Sequence, residues 1–325
     1  MIITQAPLRV SFVGGGTDLP GFYRREPGCV LSSAIDKYVF VIVKERFDAK
    51  IVLNYTKKEI VDRVDEIQHD LVRETMRKTG VDRGVEITTM ADIPSRGTGL
   101  GSSSSFTVGL LNALYAYNGE FKDAETLARQ ACEIEIEILG APIGKQDQYI
   151  SAYGNIRQIT FHPDETVDVE LVKLDYSLRR RLNERLMLFY TGKTRKASVI
   201  LTEQRKRLPE HLEILHEMSL LPNEFKATLK DGDLDQVGRI LHRNWEYKKQ
   251  LANGITDQQI DALYQKARSA GALGGKITGA GGGGFLLFYC PREKQENVRQ
   301  ALSHLTELPF RFENQGSKII FNIHR

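Results

Sequence analysis

The chain of 325 residues contains little cysteine and little excess charge. Its three cysteines (Cys29, Cys132 and Cys290) are far apart, and no Cys-x-x-Cys pair or closely spaced histidine pair occurs. This pattern argues against a structural zinc site, and free thiols suit a reducing compartment. The 45 basic and 42 acidic residues leave a net charge of +3, which gives no electrostatic footprint for nucleic acid.

Long apolar runs are also missing. The sequence contains no stretch of about 18 apolar residues, which is the length needed to cross a membrane. The N-terminus also lacks the basic and apolar regions of a signal peptide. We therefore expect a cytoplasmic protein with no membrane partner and no nucleic-acid partner.

The common nucleotide-binding motifs are absent as well. No Gly-x4-Gly-Lys-Ser/Thr loop occurs, nor the His-Arg-Asp and Asp-Phe-Gly sequences of protein kinases. Gly279–Gly284 formally matches Gly-x-Gly-x-x-Gly, but a strand pattern follows it where the dinucleotide fold requires a helix. These observations exclude three large classes of nucleotide-binding protein.

A glycine- and serine-rich stretch, Pro94–Ser105, is the most informative sequence that is present. Glycine lets the backbone approach a phosphate closely, and the apolar pattern of Ser102–Tyr117 predicts a buried helix directly after the loop. The start of that helix would point free N–H groups and its positive dipole end at the same place. The stretch therefore predicts a triphosphate-binding loop, although a capped glycine-rich turn would have a similar composition.

Two further glycine clusters occur near the two ends of the chain. The first, Gly14–Gly16, follows a predicted strand that carries Arg9 and precedes Asp18, which could bind sugar hydroxyls or cap the turn. The second, Lys276–Phe285, is nearly free of bulky side chains, so its backbone should line a ligand or pack against another backbone.

The predicted elements change in character along the chain. Strand patterns dominate the first third, with one charged segment, Lys58–Lys78, that has helical spacing. Long helical patterns follow, and a strand–helix–strand tail closes the chain, as in an α+β fold. A turn at His162-Pro163-Asp164 suggests two domains, residues 1–165 and residues 166–325.

Together the three clusters resemble the GHMP kinase superfamily, whose three motifs occur in the same order. They match Pro7–Asp18, Pro94–Ser105 and Lys276–Phe285. The resemblance implies an N-terminal nucleotide-binding domain like domain 2 of ribosomal protein S5 and a ferredoxin-like C-terminal kinase domain. It also implies ATP and Mg²⁺ as cofactors. Whether the chain is a monomer or a homodimer stays open.

Four shorter strings resemble the branch of this family that phosphorylates D-glycero-D-manno-heptose 7-phosphate on the route to GDP-heptose. They are Gly14–Pro20, Ala34–Tyr38, Gly144–Tyr149 and Tyr190–Arg195. The resemblance implies transfer of phosphate to the anomeric hydroxyl of a sugar phosphate. A kinase of a free, fucose-like sugar or another small alcohol remains an alternative, as does a catalytically silent nucleotide-binding regulator.

The resemblance assigns roles to individual residues. Asp147 is the expected catalytic aspartate, which could take the proton of the acceptor hydroxyl or only orient that hydroxyl, and Arg9 is its expected partner. Ser103 and Glu135 are the expected magnesium ligands, since Mg²⁺ prefers oxygen. On a helical wheel Glu135 lies nearest the apolar stripe of its helix, so it should lean inward.

The remaining candidates bind the two substrates. The expected nucleotide site comprises Pro94, Gly97, Gly99, Leu100, Gly101, Ser102, Ser103 and Ser104. For the acceptor the candidates are Thr17, Asp18, Gly281 and Gly282 together with Lys193 and Arg195, whose charges would suit an existing phosphate.

Overall fold

The computed structural model describes residues 1–93, 97–193 and 197–323. Its strands fall into an eight-stranded sheet and a four-stranded sheet. In chain order the strands are β1 (Ile2–Val13), β2 (Gly28–Glu45), β3 (Ile51–Asn54), β4 (Lys58–Val61), β5 (Val85–Ala91), β6 (Ile156–Phe161), β7 (Val167–Leu171), β8 (Leu186–Tyr190), β9 (Gly274–Ile277), β10 (Phe285–Tyr289), β11 (Thr306–Glu307) and β12 (Lys318–Asn322).

The helices connect and cover these strands. In chain order they are α1 (Pro20–Tyr23), α2 (Asp70–Thr79), α3 (Ser102–Tyr117), α4 (Ala124–Cys132), α5 (Gln146–Tyr153), α6 (Tyr176–Asn183), α7 (Ala197–Arg207), α8 (Leu212–Asp231), α9 (Leu234–Lys248), α10 (Gln258–Ser269) and α11 (Gln295–Ala301). A π-helical turn, Glu133–Ile138, continues α4. None of the helices that the structure describes is long and apolar enough to cross a membrane.

The larger sheet is organised around the long strand β2. Its first part pairs with β6 and its second part with β5, while β1 runs antiparallel along most of its length. The order β12-β1-β2-β5-β3-β4 follows, with β7 attached to β6. Helix α3 lies on β1 and β2 and is buried nearly all round, as its composition predicts. Gly109 allows this close approach, since an added Cβ would lie 3.2 Å from the Cβ of Ala6.

The smaller sheet has the order β11-β8-β10-β9, and its neighbouring strands are antiparallel. Helices α7 to α10 connect β8 to β9, and α11 connects β10 to β11. This is the βαββαβ arrangement of a ferredoxin-like domain. The predicted α+β architecture, including this C-terminal half, is confirmed.

The larger sheet does not end at residue 165. The turn that suggested a boundary joins β6 to β7, and both strands belong to the larger sheet. Strand β12 also returns to this sheet from the far end of the sequence and pairs with β1. The division at 165 and 166 remains a prediction for the domains, but the larger sheet takes strands from both sides of it.

The prediction of one helix over Lys58–Lys78 is wrong. Lys58–Val61 forms β4, a short 3-10 turn follows at Val64–Glu66, and helix α2 begins only at Asp70. The pairing of β4 with β3 decides the structure, because this pairing satisfies the backbone groups of the segment.

Candidate active site

The predicted phosphate-binding loop is a row of left-handed glycines. Gly97, Gly99 and Gly101 have φ angles of 72°, 74° and 80°, in the region that glycine adopts without strain. A Cβ on Gly99 would lie 2.3 Å from the carbonyl oxygen of Thr278. The loop at Gly97–Gly101 and the glycine cluster Lys276–Phe285 therefore pack backbone against backbone.

Helix α3 begins directly after this loop, with Gly101 in the N-cap position. The hydroxyl of Ser102 is buried and, in the part of the chain that the structure describes, has no hydrogen-bond partner. Ser103 is exposed, while Ser104 and Ser105 are buried and donate to Glu135 and to the carbonyl of Pro7. The first turn thus offers free N–H groups and two unpaired hydroxyls to an anion.

The expected contact between Arg9 and Asp147 is present. The guanidinium donates through Nε and Nη2 to the two carboxylate oxygens of Asp147, at 2.8 and 2.7 Å. Its third nitrogen, Nη1, donates to the carbonyl of Gly99 at 2.6 Å. Arg9 lies on β1 and Asp147 in the first turn of α5, so this bidentate pair joins the central sheet, the glycine loop and a helix start.

Asp18 lies deeper in the same region and is buried. Its two oxygens accept from the backbone N–H groups of Gly16, at 2.9 Å, and Gln146, at 3.3 Å. Burial raises the pKa of this carboxyl, and the charge of Asp147 adds to the effect. Because each oxygen retains free lone pairs, Asp18 can accept hydrogen bonds from hydroxyl groups of a ligand.

Glu135 leans inward, as the helical wheel predicts, and is buried. Its carboxylate accepts from Ser104 at 2.7 Å, Thr107 at 2.6 Å and Gln148 at 2.5 Å. Burial raises its pKa despite these three donors. A carboxylate has about four lone-pair sites, so one site is left for a cation. Together with the hydroxyls of α3, this oxygen-rich arrangement fits Mg²⁺.

These groups share one cavity of about 390 Å³. Its wall includes Gly97, Gly99, Gly101, Ser102, Ser103, Ser104, Glu135, Asp147, Arg9 and Asp18. Ten of the expected site residues therefore line one cavity, although some of them, such as Arg9 and Asp147, lie 138 positions apart in the sequence. The loop N–H groups can hold phosphate oxygens, the carboxylates can hold a cation or hydroxyls, and Arg9 can neutralise charge between them.

Several other candidates do not line this cavity. The Thr17 hydroxyl is buried, lies within hydrogen-bonding distance of the carbonyls of Gly14 and Cys29 and accepts from the N–H of Cys29, so it holds the turn together and is not available to a sugar. The backbone carbonyl of Leu100 accepts from the N–H of Arg9, and its side chain is buried.

The described candidates of the C-terminal half, Lys193, Gly281 and Gly282, also lie away from this cavity. The ammonium of Lys193 is bound by Asp257 at 2.9 Å and does not reach the cavity. Gly281 and Gly282 pack against Ile255, since the N–H of Gly282 donates to its carbonyl at 2.8 Å. Gly279 and Ala280 of the same cluster line the cavity in their place. Pro94 and Arg195 lie outside the described residues.

Lys248 is a cavity residue that the sequence reasoning missed. It is buried at the end of α9, and burial lowers the pKa of its ammonium to about 8. A signal was available, because Lys248 continues the buried stripe of Val237, Leu241 and Trp245 at helical spacing. A lysine on a buried stripe is unusual unless it has a partner or a function.

A second cavity of about 550 Å³ adjoins the first and shares Leu71, Ser102 and Ser103 with it. Aromatic rings line it: Tyr55 and His69 meet edge to face at 4.8 Å, and His69 lies 5.4 Å from Phe106. No sequence signal joined these rings, since the mistaken helix over Lys58–Lys78 hid the position of His69. The cavity offers flat apolar surface beside the phosphate-binding loop.

The chain matches two domain models of one kinase family. The model of the GHMP kinase N-terminal domain matches residues 54–155, and that of the GHMP kinase C-terminal domain matches residues 225–306. The chain is 30% identical over 318 residues to the D-glycero-alpha-D-manno-heptose 7-phosphate kinase of Campylobacter jejuni, covering 93% of both proteins. It is 26% identical to the galactokinase of Thermococcus kodakarensis, covering 92% of both.

Solved structures agree on the fold. The crystal structure of a D-glycero-D-manno-heptose 1-phosphate kinase from Bacteroides thetaiotaomicron superposes with a TM-score of 0.83 at 25% identity, over 100% of both chains. A mevalonate kinase from Methanococcus jannaschii superposes with a TM-score of 0.73 at 22% identity, over 96% of this chain and 98% of that one. GHMP kinases use ATP as the phosphate donor. By its two domain matches, its relatives and its cavity, the chain belongs to the GHMP kinase family and is a phosphotransferase.

Proposed function

We propose that this kinase phosphorylates a sugar phosphate at its anomeric hydroxyl, with D-glycero-D-manno-heptose 7-phosphate as the substrate and heptose 1,7-bisphosphate as the product. The observation that carries the proposal is the bidentate Arg9–Asp147 pair, held between the glycine loop and the buried carboxylate of Asp18. The relative in Campylobacter jejuni supports the choice of sugar.

The nucleotide lies across the two cavities in this proposal. The base occupies the aromatic cavity of Tyr55, His69 and Phe106, where flat rings can stack on it. The phosphates then follow the left-handed glycines to the start of α3, where backbone N–H groups are free. This direction puts the γ-phosphate beside Arg9 and Asp147.

Ser103 and Glu135 would hold Mg²⁺ beside the phosphates. The ion would supply positive charge for the phosphate oxygens, which phosphoryl transfer requires. The protein's own contribution is to hold Glu135 in one position through its three donors.

In the transfer step the acceptor oxygen forms a bond to the γ-phosphorus while the bond to the bridging oxygen of ADP breaks. Asp147 accepts the proton of the acceptor hydroxyl. Arg9 fixes both carboxylate oxygens and brings a positive charge to the transferring group. Positioning and charge neutralisation supply most of the acceleration in such reactions.

An acceptor panel tests the proposal. The protein is incubated with ATP, Mg²⁺ and one of heptose 7-phosphate, heptose 1-phosphate, free heptose, fucose, galactose or mevalonate, and ADP release is followed. We expect turnover with heptose 7-phosphate and a new anomeric phosphate signal by phosphorus NMR. Turnover confined to unphosphorylated sugars would point to the free-sugar kinase, and ADP release with none of the acceptors would favour the silent regulator.

A further inference from the structure

Buried lysines in the described part of the chain have very different partners. The ammonium of Lys145 lies 2.5 Å from the carboxylate of Glu165 and 4.6 Å from the ring centre of Tyr23. It does not line the active-site cavity. Its surroundings satisfy its charge, so Lys145 has a structural role.

Lys248 is buried to a similar degree but is poorly paired. Its ammonium lies 3.4 Å from the carbonyl of Gly15 and 3.4 Å from the side-chain oxygen of Gln204, at the outer limit of hydrogen bonding. Among the residues that the structure describes, no carboxylate lies within 4.0 Å of it. Unlike Lys145, Lys248 lines the cavity that contains Arg9 and Asp147.

Asp18 is its electrostatic counterpart in that cavity. The charge of Asp18 favours the protonated form of Lys248, and Lys248 in turn favours the ionised form of Asp18. Each oxygen of Asp18 accepts a single backbone N–H group. The cavity therefore holds a buried acceptor and a buried donor, each with unused hydrogen-bonding capacity.

Two neighbouring hydroxyl groups complement this pair. A carboxylate can only accept and an ammonium can only donate, whereas a hydroxyl does both. One hydroxyl can donate to Asp18 while the oxygen of the next accepts from Lys248. A ligand with one hydroxyl would leave one buried charged group unpaired, which carries a large penalty.

We propose that Lys248 is a specificity-determining residue that, together with Asp18, binds two neighbouring hydroxyl groups of a polyhydroxylated acceptor. This inference rests on the proposed sugar kinase function and adds a residue of the C-terminal half to the acceptor site. Lys248, at the end of α9, would bind the acceptor, while Asp147, in the first turn of α5, would act on the reacting hydroxyl.

A comparison of Lys248→Met, Lys248→Arg and the control Lys249→Met tests the proposal. Lys249 is the next residue but is partly exposed and paired with Glu246 at 2.9 Å. With ATP, Mg²⁺ and heptose 7-phosphate, we expect Lys248→Met to raise the acceptor KM by about 10- to 100-fold. The KM for ATP should stay within about twofold, and Lys249→Met should resemble the wild type.

Melting temperature separates binding from a structural role. A buried ammonium with incomplete partners costs stability, so Lys248→Met should melt at a higher temperature than the wild type. A lysine that stabilised the fold would give a lower melting temperature. A lower melting temperature together with an unchanged acceptor KM would overturn the proposal.

An acceptor that lacks one ring hydroxyl supplies a measurement on the folded wild type. Relative to the full acceptor, the kcat/KM for this deoxy acceptor should fall in the wild type and in Lys248→Arg. In Lys248→Met the two acceptors should differ little, because the variant already lacks the contact that the missing hydroxyl would make. Equal losses in all variants would overturn the proposal. A wild type that turns over none of the sugars would overturn the kinase proposal and this inference together. Wild-type turnover with an unaffected Lys248→Met would overturn this inference alone.

Discussion

The two ends of the cavity are built in different ways. The end that we propose for the nucleotide consists mainly of backbone from one stretch, Gly97–Ser104, supported by the backbone of Thr278 and Gly279. The end that we propose for the acceptor consists of side chains that are distant in sequence, Asp18, Asp147 and Lys248. ATP is common to the family, whereas the acceptors of its members differ. A backbone cradle suits the shared ligand, and replaceable side chains suit the variable one.

The comparison is tested most strongly at Asp147. We expect Asp147→Asn to lower kcat by about 10³- to 10⁴-fold, because the amide cannot accept the hydroxyl proton. In addition, the amide NH₂ group would replace one of the two oxygens that accept from Arg9, so one N–H donor of Arg9 would lose its acceptor. ADP binding, measured by calorimetry, should remain close to that of the wild type, since Asp147 lies at the proposed acceptor end.

The control is Asp168→Asn, which removes a carboxylate on an exposed strand next to His162. A kcat of Asp147→Asn within about tenfold of the wild-type value would contradict the role of Asp147.

At the nucleotide end the corresponding test changes the backbone. We expect Gly99→Ala to lower kcat/KM for ATP by about 10²- to 10³-fold, because the new Cβ would collide with the Thr278 carbonyl and displace the loop. A small displacement of the loop would misplace the bound phosphates relative to the acceptor hydroxyl. Steady-state kinetics with varied ATP gives the measurement.

Gly80→Ala is a matched control, since Gly80 has the same φ angle of 74° but nothing within 4 Å of an added Cβ. Both variants carry the conformational strain of a left-handed alanine, and only Gly99→Ala carries the collision. Equal effects on ATP use would show that the close packing of the two glycine clusters is unimportant.

Glu135 lies where the two ends meet. Glu135→Gln should raise the Mg²⁺ concentration for half-maximal activity by about 10- to 100-fold, since it removes the charge of a proposed ligand. Titration of activity with Mg²⁺ measures the shift. Glu137→Gln, on the exposed side of the same helical turn, should leave the Mg²⁺ requirement unchanged. A shared shift in both variants would indicate a general charge effect.

The smallest expected effect is a pH dependence of acceptor use. The charged groups that act on Lys248 are Asp18, which follows β1, Arg9 on β1 and Lys276 on β9. Burial lowers the pKa of the Lys248 ammonium to about 8, so this lysine is charged below pH 8 and neutral above it. We expect kcat/KM for the acceptor to fall by up to about tenfold per pH unit above pH 8.

The variant Lys248→Arg identifies the group that titrates. Arginine stays charged in this range, so the alkaline decline should disappear in the variant. Burial lowers the pKa of Lys276 to about 7, but Lys276 is present in both proteins and cannot account for a difference between them. An identical decline in both would assign it to another group.

The loop and helix start at the proposed nucleotide end were predictable because their residues are contiguous. Glycines at alternate positions followed by serines indicate a loop and a helix start, and both occur at Gly97–Ser104. Family resemblance then supplied Arg9 and Asp147, whose contact no local pattern contains. The family resemblance likewise supplied the ferredoxin-like C-terminal half, since the sequence patterns showed only its helices and the strand β10, and β12 at the end of the predicted tail pairs with β1 in the larger sheet.

The acceptor end was only partly predictable, because tertiary contacts decide which polar groups are free. Thr17 and Lys193 have suitable side chains, but Cys29 and Asp257 engage them. The helical stripe indicates that Lys248 is buried, but only the fold reveals that it lines the cavity. In the aromatic cavity, His69 follows a segment whose strand β4 forms through pairing with β3.

The pairing of β12 with β1 has a consequence for biosynthesis. A ribosome makes β1 long before β12, and Ile2–Gln5 find their partners in Lys318–Asn322 only after the ferredoxin-like half has emerged. During that interval the outer edge of β1 exposes unpaired backbone groups, which are a template for pairing with another chain. The first residues of the strand that carries Arg9 therefore need protection in the nascent protein, for example by a chaperone.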